Sequence, residues 1–77
     1  MKIQDISITN NQKKSLLKAI KDPQILVQED SGDLVVNVTA YQALKNNIAY
    51  KKSGSEPIEE IVGEDALDFD AEYFVFS

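Results

Sequence analysis

Neither a cysteine nor a histidine occurs in this 77-residue chain. A domain of this size buries only about 60% of the surface that its unfolded chain exposes, so an apolar core leaves a small margin of stability. Disulfides, thiolate metal sites and imidazole metal sites stabilise many small domains, but this composition excludes them. We therefore expect one small folding unit that gains stability from an oligomer or from a partner.

The sequence predicts a cytoplasmic protein that does not span a membrane. No apolar run approaches the roughly 20 residues that a membrane-spanning helix needs. The first five residues, MKIQD, lack the apolar stretch of a signal peptide.

We also expect neither an enzyme nor a bound cofactor. There is no glycine-rich phosphate loop, and without histidine no serine or threonine has the usual catalytic base beside it. Asp65, Asp68, Asp70 and Glu72 do not have the spacing of an EF-hand loop, so a solvated acidic surface is expected there and no metal site.

Charge divides the chain into two parts of opposite sign. All eight basic residues are lysines and lie in residues 1–52, together with five acids, for a net charge of 8 − 5 = +3. Residues 53–77 carry eight acids and no base, for a net charge of −8. This asymmetry indicates two electrostatic roles, although an acidic tail that only keeps the chain soluble would give the same pattern.

The first part of the chain has the pattern of a strand, a helix and a hairpin. Ile6 and Ile8 lie two residues apart, which places both side chains on one face of a strand. Thr9 and Gln12 have the spacing of a capping box at the start of a short amphipathic helix. QILVQ and LVVNV, separated by EDSGD with its Gly32, predict a β-hairpin.

Two further helices are expected. Tyr41, Leu44 and Ile48 form an apolar stripe on the first, which Asn37 or Thr39 would cap. The second is the short segment EPIEEIV, which Ser55 would cap and Gly63 would end. Together with the strands, the order of elements before residue 53 is β-α-β-β-α, an α+β domain with a small antiparallel sheet.

The chain ends in EDALDFDAEYFVFS, which combines five carboxylates with large apolar side chains. Such a segment can fold onto a partner by spreading a few apolar anchors over a large surface. The run from Tyr73 to Phe76 could instead add a strand to the hairpin sheet, and the tail would then be structural.

The stretch LVVNVTAYQAL resembles the junction between strand and helix in the Phd/YefM antitoxins of bacterial toxin–antitoxin pairs. In that family an apolar strand leads through a capping residue into a helix that carries an aromatic residue and then a leucine. Asn37, Tyr41 and Leu44 occupy these positions here, and ISIT and LLKAI match the first strand and first helix in order. The resemblance covers residues 1 to about 50.

The resemblance implies that residues 1–52 form a homodimer, bind operator DNA and repress their own operon. In the chain, phosphate contacts would come from exposed lysines, and amide side chains at the start of the first helix could contact bases. These candidate DNA-binding residues are Lys2, Asn10, Asn11, Lys13, Lys14 and Lys18. However, the chain has no arginine and its hairpin turn is acidic, so these lysines could also be only the solvated face of a helix.

For residues 53–77 the resemblance implies an acidic, partly disordered or short-helical segment that folds along a cognate basic toxin and neutralises it. Apolar anchors and carboxylates would share this binding. The candidate partner-binding residues are Ile58, Ile61, Leu67, Phe69, Asp70, Glu72, Tyr73, Phe74 and Phe76.

Two other functions fit the same sequence. The chain could be an acidic inhibitor or decoy that imitates nucleic acid, with carboxylates on a rigid, folded surface and no DNA binding of its own. It could also be a compact accessory subunit whose tail closes the fold.

Overall fold

The computed structural model describes residues 2–46, 58–68 and 70–77. It confirms the α+β class, with helices and a four-stranded mixed sheet. In chain order the elements are β1 (Ile3–Ile6), α1 (Asn10–Ala19), β2 (Leu26–Gln28), β3 (Leu34–Asn37), α2 (Val38–Lys45), α3 (Ile58–Val62), a 3-10 turn (Glu64–Ala66) and β4 (Tyr73–Phe76). The predicted helical position Ile48 and the predicted cap Ser55 lie outside the described residues.

The C-terminal strand β4 is a central strand of the sheet. The strand order is β1-β4-β3-β2, with β4 parallel to β1 and antiparallel to β3. The sheet is therefore mixed, whereas the sequence predicted an antiparallel one. Residues 73–76 are also a strand, where a partly disordered or short-helical segment was expected, because their alternating side chains fit between two strands that are not themselves paired.

Local signals in the sequence account for the helix starts and the hairpin turn. The backbone N–H of Gln12 donates to Thr9 Oγ1 at 3.2 Å, and the Thr9 N–H donates to Gln12 Oε1 at 2.8 Å, which completes the capping box of α1. Asn37, and not Thr39, caps α2, since its Oδ1 accepts from the Ala40 N–H at 3.1 Å. In the hairpin turn Gly32 has a φ of 90°, which glycine adopts without strain.

The core lies between the described helices α1, α2 and α3 and one face of the sheet. Alternate residues of each strand point into it, as the pleat requires. Its fully buried side chains include Leu16 of α1, Leu34 and Val36 of β3, Ile58 of α3 and Phe76 of β4. The helices thus cover one face of the sheet and supply the partners for its apolar side chains.

The opposite face of the sheet has no helix packed on it among the described elements. We call this surface the open face; its residues are Ile3, Asp5, Val27, Val35, Asn37, Tyr73 and Val75. Ile3 is 57% exposed and Val27 is 46% exposed, which marks this side as uncovered. Within the part of the chain that the structure describes, no helix has the length and apolar character to cross a bilayer.

Candidate partner-binding surfaces

Most of the apolar residues that the sequence suggested for partner binding lie in the core. Ile58, Phe74 and Phe76 are 1%, 2% and 0% exposed. Ile61 and Leu67 are partly buried and pack against the same core. In this structure these side chains pack inside the fold, because the strand pleat and the apolar side of the helix turn them inward. Phe69 lies outside the described residues.

Three of the suggested residues do reach the surface. Asp70 and Glu72 are exposed in the turn before β4. Tyr73 is half-buried on the open face, on the opposite side of β4 from Phe74 and Phe76. The structure therefore separates the suggested partner-binding residues into a buried set and a surface set.

The acidic segment, residues 58–68 and 70–72, is attached to the rest of the domain near both of its ends. The Gln12 side-chain amide of α1 donates to the Ile61 carbonyl at 3.2 Å. At the other end, the Glu72 N–H donates to the Lys2 carbonyl at 2.9 Å, and the Glu72 carbonyl accepts from the Val38 N–H at 2.9 Å. Ala71 is 6% exposed and belongs to the core. These contacts hold the backbone of the segment against α1, α2 and β1.

All but one of the described carboxylates of the acidic segment nevertheless belong to exposed residues. Six of them are on exposed residues, namely Glu60, Glu64, Asp65, Asp68, Asp70 and Glu72. Local backbone hydrogen bonds fold the chain between these residues. The Leu67 N–H donates to the Glu64 carbonyl at 3.2 Å, and the Ala71 N–H donates to the Asp68 carbonyl at 3.0 Å. The result is a row of negative charges along a folded segment.

Glu59 is the acid of this segment that turns inward, where it joins α3 to α2. The Tyr41 hydroxyl accepts from the Ile58 N–H at 2.9 Å and donates to Glu59 Oε2 at 2.6 Å. Lys45 Nζ donates to Glu59 Oε1 at 2.7 Å and lies 5.9 Å from the centre of the Tyr41 ring. Burial raises the pKa of Glu59, but the hydrogen bonds from Lys45 and Tyr41 and the lysine charge outweigh it and lower the pKa.

This cluster was not predicted from the sequence. Tyr41 was expected in the core, and it is 3% exposed. A buried tyrosine hydroxyl needs a hydrogen-bond partner, which is a reason to search for one, but nothing in the local sequence indicates a residue 18 positions away. The arrangement performs a structural task, because it fixes the start of the acidic segment.

The candidate DNA-binding residues lie mainly on α1. Asn10, Asn11, Lys14 and Lys18 are exposed, and Lys13 is half-buried. Asn11, Lys14 and Lys18 line a surface depression together with Ser15 and Leu17. Lys2 is also exposed but precedes β1, so it is on a different element. The helix brings most of this set together as a cationic surface.

No group of three or more acidic side chains within residues 2–46, 58–68 and 70–77 is arranged to hold a metal ion.

No protein-family model matches the chain, and no curated protein or solved structure matches it.

Proposed function

We propose that this protein is a small acidic binding protein, without catalytic activity, that neutralises a cationic protein partner through carboxylates on its folded surface. The observation that carries this proposal is the attachment of the acidic segment. Its six exposed carboxylates stand on a backbone held by buried Ile58 and Ala71. Carboxylates on a folded segment support an acidic inhibitor over a protein that binds through a mobile tail.

A fixed array of carboxylates favours a cationic partner in two ways. It raises the rate of association by electrostatic steering, which falls with ionic strength. It also avoids the entropy cost of ordering a free segment on binding. The net charge of −5 acts in the same direction over the whole molecule.

A titration with an oligolysine peptide at increasing salt tests this proposal. We expect binding that weakens as salt rises, because the contacts are exposed charge pairs. Replacing Asp65→Lys should weaken the binding on the order of fivefold, since it reverses a charge inside the array.

The matched control is Asp30→Lys in the hairpin turn. It changes the net charge by the same amount and is also at an exposed position. We expect a smaller effect from Asp30→Lys than from Asp65→Lys. Equal effects would mean that only net charge matters, and they would contradict a role for the acidic segment.

The second candidate function is an antitoxin-like regulator, which the cationic surface of α1 favours. Lys14 and Lys18 lie on the same exposed face and could contact operator phosphates. In this function the cationic partner is a toxin, and binding through Phe74 and Phe76 requires β4 to leave the sheet. Finding a neighbouring gene for a small basic protein, and a salt-dependent shift of promoter DNA that Lys14→Glu abolishes, would favour it.

A further inference from the structure

The open face carries a row of apolar side chains that crosses the sheet. Val75 of β4 pairs with Val35 of β3, and Val35 pairs with Val27 of β2. Asp5 of β1 pairs with Val75 and ends the row. Because paired residues lie about 5 Å apart on one face, the three valines form a continuous band.

The band continues into a second row of apolar side chains on the same face. Ile3 and Tyr73 pair with each other beside it, and both lie on the same face. Ile3 and Val27 are two of the three large hydrophobic residues that are exposed within the described residues; the third is Leu17 of α1. Ile3, Val35, Tyr73 and Val75 also line one surface depression. A contiguous apolar patch of this kind marks an interaction surface.

Among the described residues, the charged side chains that border the band are acidic. Asp5 lies in the same row, and Glu29 lines the depression. Asp33 pairs with Glu29 across the hairpin, where the Glu29 N–H donates to the Asp33 carbonyl at 2.9 Å. No lysine occupies a position of the open face among the described strands. Lys2 directly precedes Ile3, and because successive side chains of an extended chain point to opposite faces, it belongs to the other side of the sheet.

We propose that the open face is a second surface, besides the acidic segment, on which the cationic partner docks, and that the partner presents to it an apolar centre with a rim of lysine or arginine. This inference rests on the proposed function and adds a location and a surface chemistry to it. The apolar band would supply the buried centre of the interface. Asp5 and Glu29, at opposite edges of the sheet, would pair with the basic rim and fix the orientation.

A second copy of this chain fits the same face poorly. If the two-fold axis runs across the strands, Asp5 of one copy lies over Asp5 of the other. If it runs along the strands, Asp5 lies over Val27, and the hairpin carboxylates of both copies share one end of the interface. Either arrangement brings twice as many carboxylates into the interface without adding a cation. Like-charge repulsion and the cost of desolvating the carboxylates oppose such a dimer.

The experiment is an NMR titration of the full chain with a synthetic amphipathic helix that carries a leucine stripe flanked by lysines. A helix packs naturally on a sheet face. We expect the amide signals of Val27, Val35 and Val75 to shift. Peptides with glutamate in place of lysine, or serine in place of leucine, should bind at least about tenfold more weakly because each lacks one half of the complementarity.

The variant Val27→Lys tests the surface, with Leu17→Lys as its matched control. Both replace an exposed apolar residue by lysine, but Leu17 is on α1. We expect Val27→Lys to weaken peptide binding about tenfold or more, and Leu17→Lys to leave it nearly unchanged.

The possible failures are distinguishable. Shifts confined to the acidic segment would overturn the docking surface and leave the proposed function standing. Absence of binding by both this peptide and oligolysine would overturn both. Sedimentation that shows a dimer of the chain, abolished by Val27→Lys, would assign the open face to a second copy and overturn the inference.

Discussion

The hydroxyl of Tyr41 connects two elements that are far apart in the sequence. It accepts from the buried Ile58 N–H and donates to Glu59. Tyr41→Phe removes the hydroxyl that accepts the hydrogen bond from the Ile58 N–H. We expect a loss of about 1–3 kcal/mol in the free energy of unfolding. Urea denaturation of both proteins measures it.

Tyr73→Phe is the control for this prediction. It removes the same atom from a half-buried tyrosine on the open face. We expect its effect to stay within about 0.5 kcal/mol, as for most surface changes. Equal losses for the two variants would show that the Tyr41 hydroxyl has no special role.

Glu59 makes stability depend on pH in the acid range. Its pKa in the folded protein lies below the ordinary value of a glutamate, which the unfolded chain retains. The unfolded chain therefore binds the proton more readily, so the stabilisation is complete above the unfolded pKa and is lost as the pH falls through the folded pKa.

We expect Glu59→Gln to reduce the acid sensitivity of the unfolding free energy and to lower stability at neutral pH. Unfolding measured at a series of pH values from neutral to below 4 checks this. The exposed neighbour Glu60 provides the control, Glu60→Gln. If the two variants have the same pH profile, the cluster around Glu59 does not contribute as described.

At the scale of the elements, β4 divides its side chains between two environments. Phe76 is fully buried in the core, whereas Val75 lies on the open face. Phe76→Ala should cost about 3–5 kcal/mol of stability, because it removes a large side chain and leaves a cavity. Val75→Ala should cost less than half as much, as measured by thermal or urea unfolding. Similar losses would mean that the open face is covered.

Local patterns predicted the local elements. The spacing of Thr9 and Gln12 indicated the capping box of α1, and Asn37 was one of the two caps proposed for α2. The continuous apolar run YFVF left a strand open as an alternative. No local pattern could decide that this strand lies between β1 and β3, since that pairing joins residues about 70 positions apart. The burial of Phe74 and Phe76 follows from this pairing, so no local pattern could predict it either.

At the scale of the whole molecule, the division of charge in the sequence does not separate core from surface. The acidic part of the chain supplies the central strand β4 and the buried Ile58, while six of its described carboxylates are on exposed residues. Buried apolar side chains and exposed carboxylates therefore come from the same part of the sequence. The proposed binding of a cationic partner therefore does not require this part of the chain to leave the core.

Truncation after Lys52 tests this connection directly. It removes β4, so β1 loses its only neighbour in the described sheet, and it removes Ile58, Phe74 and Phe76 from the core. Since each large apolar side chain contributes a few kcal/mol and small domains have only about 5–15 kcal/mol in total, we expect the truncated chain to be unfolded. Circular dichroism and amide exchange measure this.

A synthetic peptide of residues 58–77 should restore the fold of the truncated chain when added in trans, because it carries the missing strand and helix. A peptide with Phe74→Ser and Phe76→Ser is the matched control and should fail, although it keeps every carboxylate. If the truncated chain instead folds by itself, β4 is dispensable for the fold. The last twenty residues could then leave the sheet, and the antitoxin-like function would become the better hypothesis.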